Sequence, residues 1–248
     1  MNKIELSAVS YLNARPFLNG LEHHPVRNQI NLSLDVPSVI ASKLKTNEVQ
    51  IGLVPVAAIQ SIKNAHIISD YCIGALNKVE TVCLYSHVPI TEVENILLDY
   101  QSETSVNLLK VLMKHYWKQT VNYFPTTSGY ELKINQTTAG LVIGDRNFGM
   151  QNQFPYCYDL SEAWFSFTSL PFIFACWVST IQLPDDFILQ FNVALKQGVE
   201  NILQVCHEAA GNYPGVDVHH YLNNCIHYKR TDDMMNGYKK FIELMNEL

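Results

Sequence analysis

Charge is scarce in this chain, and arginine scarcest of all. Only 16% of its 248 residues are Asp, Glu, Lys or Arg, and the 17 basic residues include four arginines: Arg15, Arg27, Arg146 and Arg230. The net charge of −6 argues against nucleic acid or an anionic membrane as a partner. An anionic ligand must therefore lean on one of those arginines, on lysines or on neutral donors. Long apolar runs are missing too. The longest, Leu170 to Val178, is far too short to span a bilayer, and Met1 to Glu5 carries no apolar h-region. The six cysteines, Cys72, Cys83, Cys157, Cys176, Cys206 and Cys225, form no CxxC and no zinc-like pairing. Most sit in apolar or aromatic surroundings, where cysteine behaves as a small hydrophobe. A reducing cytosol is the expected location. The nine histidines make no metal set, since His23-His24 and His219-His220 are sequence neighbours that cannot share a face. No GxGxxG, Walker loop or GxSxG is present, which removes the familiar nucleotide and serine-hydrolase readings. No metal and no cofactor is expected. Internal repeats, low-complexity tracts and Gly/Ser linkers are absent as well.

What is present is a large apolar fraction, 48%, enough for a well-built core. Ile4, Leu6 and Ala8 alternate as a strand does. Val9-Ser10-Tyr11-Leu12-Asn13-Ala14-Arg15-Pro16 then reads as a tight turn into a helix, with Pro16 suited to the first turn. Ile30 to Val36 reads as a strand, Pro37-Ser38 as a helix start, and Val49 to Val54 as a buried strand. This β-α-β-α-β order is that of a parallel, helix-flanked sheet. Ile67 to Ile73 and Glu80 to Ser86 follow as strands. The texture changes at Ser86-His87-Val88-Pro89. A fresh strand at Ile96 to Asp99 leads into the clearest helix, Ser102 to Lys118. Asn122 to Pro125, Ala139 to Ile143 and Phe172 to Val178 read as further strands, and Asp159 to Phe165 as a short aromatic helix. The last stretch is helical over Phe187 to Glu208, Val216 to Asn224 and Asp232 to Glu247. The expected fold is α/β and two-lobed. Residues 1–87 and 177–248 would build one lobe, 88–176 an inserted second lobe, and a ligand would lie in the cleft between them.

Several residues are candidates for that ligand, each with a plainer reading beside it. Ser10, Tyr11 and Asn13 crowd polar groups at the first helix start, where small anions bind readily; Asn13 is equally a helix cap. Arg15 suits a carboxylate, or is a solvated surface arginine. Ser38 opens the second helix. Thr104 and Ser105, beside Ser102, open the third and present hydroxyls and N–H groups, although capping explains one of the three. Gly144 ends a buried strand and permits close backbone approach, as would any turn there, with Asp145 next to it. No strong base is evident. The residues alone leave two readings: a binding protein for a small anion, or an enzyme whose reaction needs little base strength.

The Val9 to Pro16 segment resembles the N-terminal signature of the chorismate dehydratases of menaquinone biosynthesis by the futalosine route. Further matches follow in order: Gly52-Leu53-Val54-Pro55, Thr81-Val82, Ser102-Glu103-Thr104-Ser105, Leu141-Val142-Ile143-Gly144-Asp145, Tyr158-Asp159-Leu160 through Trp164, Leu170-Pro171-Phe172 to Trp177, and Tyr221-Leu222 with Ile226-His227-Tyr228, Gly237 and Phe241. The resemblance implies the two-lobed fold of type II periplasmic binding proteins and a substrate, chorismate, from which water is removed. It also implies that Asn13 sits at the reacting centre and that Thr81 stands where relatives use a serine. The threonine keeps the hydroxyl and adds a methyl. Glu103 stands where relatives often carry arginine. The competing expectations are the sister dihydroxynaphthoate synthase and a non-enzymatic solute-binding protein. An effector module of a transcription regulator would need a DNA-binding helix pair that is not visible here.

Overall fold

The computed structural model describes residues 3–248, which fall into two compact units. The first comprises the chain up to Gly74 together with Ile173–Thr231; the second comprises Ala75–Phe172 and Asp232–Leu248. In chain order the first unit begins with strand β1 (Ile4–Val9), helix α1 (Arg15–His23), β2 (Ile30–Asp35), α2 (Pro37–Lys45), β3 (Ile51–Pro55) and β4 (His66–Ala75). The second unit then supplies β5 (Val82–Ser86), β6 (Asn95–Leu98), α3 (Glu103–Val111), β7 (Asn122–Pro125), β8 (Thr138–Ile143), β9 (Tyr156–Asp159) and α4 (Leu160–Thr168). The chain returns through β10 (Phe172–Ser179), α5 (Asp185–Glu200), α6 (Ile202–Ala210), α7 (Val218–His220) and β11 (His227–Lys229), and ends in α8 (Asp232–Met245).

The first unit holds a six-stranded sheet in the order β11-β4-β10-β3-β1-β2. β1 runs parallel to both β2 and β3, with Val9 opposite Asp35, so the three strands deliver their carboxyl ends to one edge. Tyr71, Trp177 and Tyr228 enclose Phe17 of α1, with ring centroids 5.2 to 6.3 Å apart. Helix α1 lies against α5 at backbone contact. A Cβ on Gly20 would sit 2.0 Å from the Ala194 carbonyl, and one on Gly198 would sit 1.8 Å from the Pro16 carbonyl. Only glycine permits that approach.

The second unit holds a five-stranded sheet in the order β7-β6-β8-β5-β9. β6 is parallel to β7 and β8, whereas β5 is antiparallel to β8 and β9. The carboxyl ends of β6 and β8 therefore lie at the same edge as the start of β5. Ser102 caps α3 by accepting from the Ser105 N–H, and Asp159 caps α4 by accepting from Ser161 and Glu162. Trp164, Phe172 and Phe241 pack edge to face in the core of this unit.

The expected lobe boundaries need correction. Residues 75–87 and 232–248 belong to the second unit, and 173–176 to the first. The physical reason at the C-terminus is α8. Its Phe241 fills the aromatic core around Trp164, and Gly237 lets it lie on Pro171, whose carbonyl is 2.1 Å from where a Cβ would stand. Three helices are also shorter than their patterns suggest. The expected helix over 102–118 is α3 followed by a π-turn at Leu112–Tyr116. The one over 187–208 breaks at Asn201 into α5 and α6. The one over 216–224 is α7 followed by a π-turn at Tyr221–Cys225. No helix among the described residues is long and apolar enough to cross a membrane.

Candidate functional site

In the first unit the candidates gather where parallel strands end, the edge at which α/β sheets bind ligands. Ser10 and Tyr11 leave β1, and the 3-10 turn Leu12–Ala14 carries the chain into α1. The Ser10 N–H donates to the Asp35 carbonyl across the strand ends at 3.3 Å, which ties this turn to the start of α2 and its exposed Ser38. Asp35 is itself fixed. Its Oδ2 accepts from Ser7 (2.7 Å), Ser33 (3.2 Å) and Lys43 (2.5 Å). Burial pushes this carboxyl up, but Lys43, Ser7 and Ser33 together hold it below its ordinary value.

Asn13 does not cap a helix. The residue preceding α1 is Ala14, with no side-chain cap, and Pro16 occupies the first turn as its fixed φ suggests. The Asn13 amide oxygen is instead buried with no hydrogen-bond partner. Such a group costs about 1–3 kcal/mol. The turn that carries it is held from three sides. Tyr228 Oη donates to the Asn13 carbonyl at 3.0 Å, Phe17 is locked in its aromatic cage, and α1 is pressed onto α5 at Pro16. The amide oxygen is thus kept in place without a partner.

Three of the four arginines are committed. Arg27 donates to the Ile30 carbonyl, Arg230 pairs with Asp70 and the Ser69 carbonyl, and Arg146 bridges Asp99, Glu131 and Gln101 while stacking on Tyr100. Arg15 alone among them, within the described residues, has no side-chain partner, and it is exposed. It lines a small groove between α1 and α6 with Asn19, Glu22, Glu208 and Asn212.

In the second unit Thr81, Gly144, Asp145 and the start of α3 share one sheet edge, because β5 begins where β6 and β8 end. The Gly144 N–H donates to the Thr81 carbonyl at 2.8 Å. Gly144 has φ +65°, which its missing Cβ makes inexpensive. Buried Asn147 donates to both the Thr81 and Gly144 carbonyls (3.0 and 3.1 Å) and accepts from Tyr85 Oη (3.1 Å). Asp159 braces the segment before Thr81. One carboxylate oxygen accepts from Val79 and Glu80 N–H, the other from Ser161 and Glu162 N–H. This holds Glu80 at φ +65°, a conformation costly for a residue with a side chain. Burial pushes Asp159 up to about 6, against the pull of its four N–H donors. Thr81 is buried, its hydroxyl 3.5 Å from the Val79 carbonyl. At the start of α3 the capping role falls to Ser102, whose Oγ also lies 3.1 Å from Ser105 Oγ; Thr104 and Ser105 are both buried. Arg146 and Asp99 staple this helix start to the segment after Gly144.

The residues that brace the two edges, Asp35, Tyr228, Asn147 and Asp159, were not among the expected site residues. Asp159 and Tyr228 lie in two of the segments that carry the resemblance, and Asp159 is also a cap ahead of an apolar run; Asp35 and Asn147 left no trace in the sequence.

Comparison with known proteins follows the same lines. The sequence profile of a family described as menaquinone biosynthesis matches residues 4–247. A chorismate dehydratase from Thermus thermophilus is 26% identical over 93% of this chain and 96% of its own length. Among solved structures, a protein from Archaeoglobus fulgidus shares the fold with TM-score 0.77 at 13% identity, over 99% of this chain and 97% of that one. A Candida albicans gene product described as having the generic periplasmic binding protein fold gives TM-score 0.65 at 12% identity, over 100% and 91%. The alkanesulfonate-binding protein of Xanthomonas axonopodis pv. citri, bound to MOPS, gives 0.66 at 10% identity, over 100% and 93%. The structural likenesses show a periplasmic-binding-protein-like fold.

Proposed function

The chain belongs to the menaquinone biosynthesis family, and on that premise we propose that it is a chorismate dehydratase. It is then a carbon–oxygen lyase that converts chorismate to 3-[(1-carboxyvinyl)oxy]benzoate and water. The observation that carries this reading is the buried, unpartnered amide oxygen of Asn13 in a turn braced by Tyr228 and Phe17. Its free acceptor matches a substrate hydroxyl, and chorismate has one, on ring C4, which is the group that leaves.

The chemistry asks little of the protein's acid–base repertoire. The C3–H bond breaks and its electron pair becomes the C3=C4 bond as the C4–O bond breaks. The proton passes to the substrate's own enolpyruvyl carboxylate and departs with hydroxide as water. The ring becomes aromatic, which supplies much of the driving force. Orientation and hydrogen bonding are then sufficient catalysis. Asn13 holds the reacting centre, and Thr81 supplies a hydroxyl from an edge that Asn147 and Asp159 keep rigid. Arg15, the one uncommitted arginine among the described residues, meets one substrate carboxylate, and Thr104 and Ser105 at the start of α3 meet the other. Ser10, Tyr11, Ser38, Gly144 and Asp145 contribute backbone and polar contacts.

The test is to mix the purified protein with chorismate alone, adding neither metal nor nucleotide, and follow product mass. Loss of one water with an aromatic product is expected. Chorismate bound but left intact would favour a receptor for the same anion, and neither binding nor reaction would overturn the reading.

A further inference from the structure

A basic surface of the second unit has no part in the chemistry above. No Asp or Glu occurs from Thr104 to Tyr130, in a chain where acids outnumber Lys and Arg by 23 to 17. Lys110, Lys114 and Lys118 fall in that stretch at four-residue spacing. Such spacing on a helix puts side chains in one row, and α3 with its π-turn carries the helix past Lys114. Just beyond, Lys118 has φ +54° and the chain returns as β7. Tyr123 of β7 lies against Lys110, whose Nζ is 5.6 Å from the ring centroid. The three lysines line a groove of about 620 Å³ together with Gln119, Thr120 and Tyr123. From this geometry we propose that the groove is a binding site for a small polyphosphorylated anion, held by Lys110, Lys114 and Lys118.

The three amines are uncompensated. Lys43, Lys196, Lys229 and Lys240 each pair with a carboxylate, whereas none of the three does so among the described residues. Lys114 Nζ donates to the Glu247 backbone carbonyl at 2.6 Å, while the Glu247 carboxylate lies 3.6 Å from His115. Leu248 also lines the groove, and Glu92 and Glu94 line a neighbouring groove that shares Gln119 and Thr120, which bounds the positive field there. Like charges four residues apart repel and destabilise a helix, so an anion that bridges them removes a standing repulsion. The helix dipole favours cations at this end, but it fades within the last turn and does not account for a row two turns long. Lysine binds phosphate as a point charge. A row about 12 Å long matches a chain of phosphates rather than one carboxylate, and the volume is that of a small-molecule site. The inference stands apart from the dehydratase reading.

The experiment titrates the whole protein with inorganic tripolyphosphate by calorimetry at low salt. Saturable binding is expected, weakening as salt is raised. The triple variant Lys110→Gln, Lys114→Gln, Lys118→Gln should bind at least about tenfold more weakly. A control with the same change in net charge, Lys45→Gln, Lys63→Gln, Lys239→Gln, alters exposed lysines elsewhere and should bind within about twofold of the parent. Melting temperature checks that both variants fold. A second readout needs no variant: tripolyphosphate should slow acetylation of Lys110, Lys114 and Lys118 by acetic anhydride about fivefold and leave Lys45, Lys63 and Lys239 unchanged. No saturable binding at millimolar tripolyphosphate, equal weakening in the two triple variants, or equal protection of all six lysines would overturn the proposal. Displacement of tripolyphosphate by chorismate would overturn it as well, since the anion would then occupy the substrate's site.

Discussion

Asn13 and Asp159 show why the residue scale matters most here. Both are small polar side chains next to a helix start, and the sequence allows either to be a cap. Asp159 is one, with four backbone N–H groups on its two oxygens, and burial still raises it to about 6. Carbon-13 NMR of its carboxyl group should show a midpoint near that pH; a midpoint below about 4 would mean that the four donors outweigh burial. The sign for stability follows. The native state keeps this proton between about 4 and 6 while the unfolded chain has lost it. The contribution of Asp159 to stability therefore falls as pH rises through that window and is level above it. Asn13 is not a cap, and the difference was illegible in the sequence because the group that fixes its backbone, Tyr228, is 215 residues away. Asn147 reaches its Thr81 partner across 66 residues and Asp159 its Val79 partner across 80, beyond any local pattern. Arg15 was readable as a rare arginine beside the turn. That Arg27, Arg146 and Arg230 are committed elsewhere was not. Arg15→Ala should raise KM for chorismate about tenfold with little change in kcat or melting temperature, the loss of one charge-assisted contact. An unchanged KM would remove Arg15 from the site.

At the scale of elements, strands with strong alternation or continuous apolar runs were legible: β1, β2, β3, β5, β7, β8 and β10 lie where their patterns put them. Strands β9 and β11 were not, since Tyr156-Cys157-Tyr158-Asp159 and His227-Tyr228-Lys229 were not marked off as strands by their residue pattern. Helix starts were readable through Pro16, Pro37 and Ser102, while the breaks at Asn201 and the two π-turns were not, because apolar spacing continues through them. The seating of α1 on α5 depends on Gly20 and Gly198, which no periodicity marks. Gly198→Ala should lower stability by about 2–3 kcal/mol, since the added methyl meets the Pro16 carbonyl rather than a yielding side chain. Gly211→Ala, with open space around it, should stay within about 0.5 kcal/mol of the parent. Urea midpoints for the pair check this, and equal effects would show that the two helices separate at no cost.

For the whole molecule, the order of strands and helices sufficed to expect an α/β chain, and the two sheets of parallel and antiparallel strands agree. The return of α8 to the second unit was beyond that reasoning. Nothing in Asp232 to Glu247 distinguishes a helix facing one aromatic core from a helix facing another; the contact of Phe241 with Trp164 and Phe172 decides it. Placing function on this frame required one further fact, a buried amide oxygen with no partner. The direct measurement is chorismate turnover by Asn13→Ala beside the parent protein, with melting temperature followed in parallel. The account predicts conversion by the parent, loss of conversion by at least about a hundredfold in the variant, and an unchanged or slightly higher melting temperature, because the alanine removes an unpaired acceptor. Turnover of Asn13→Ala at the parental rate would contradict it.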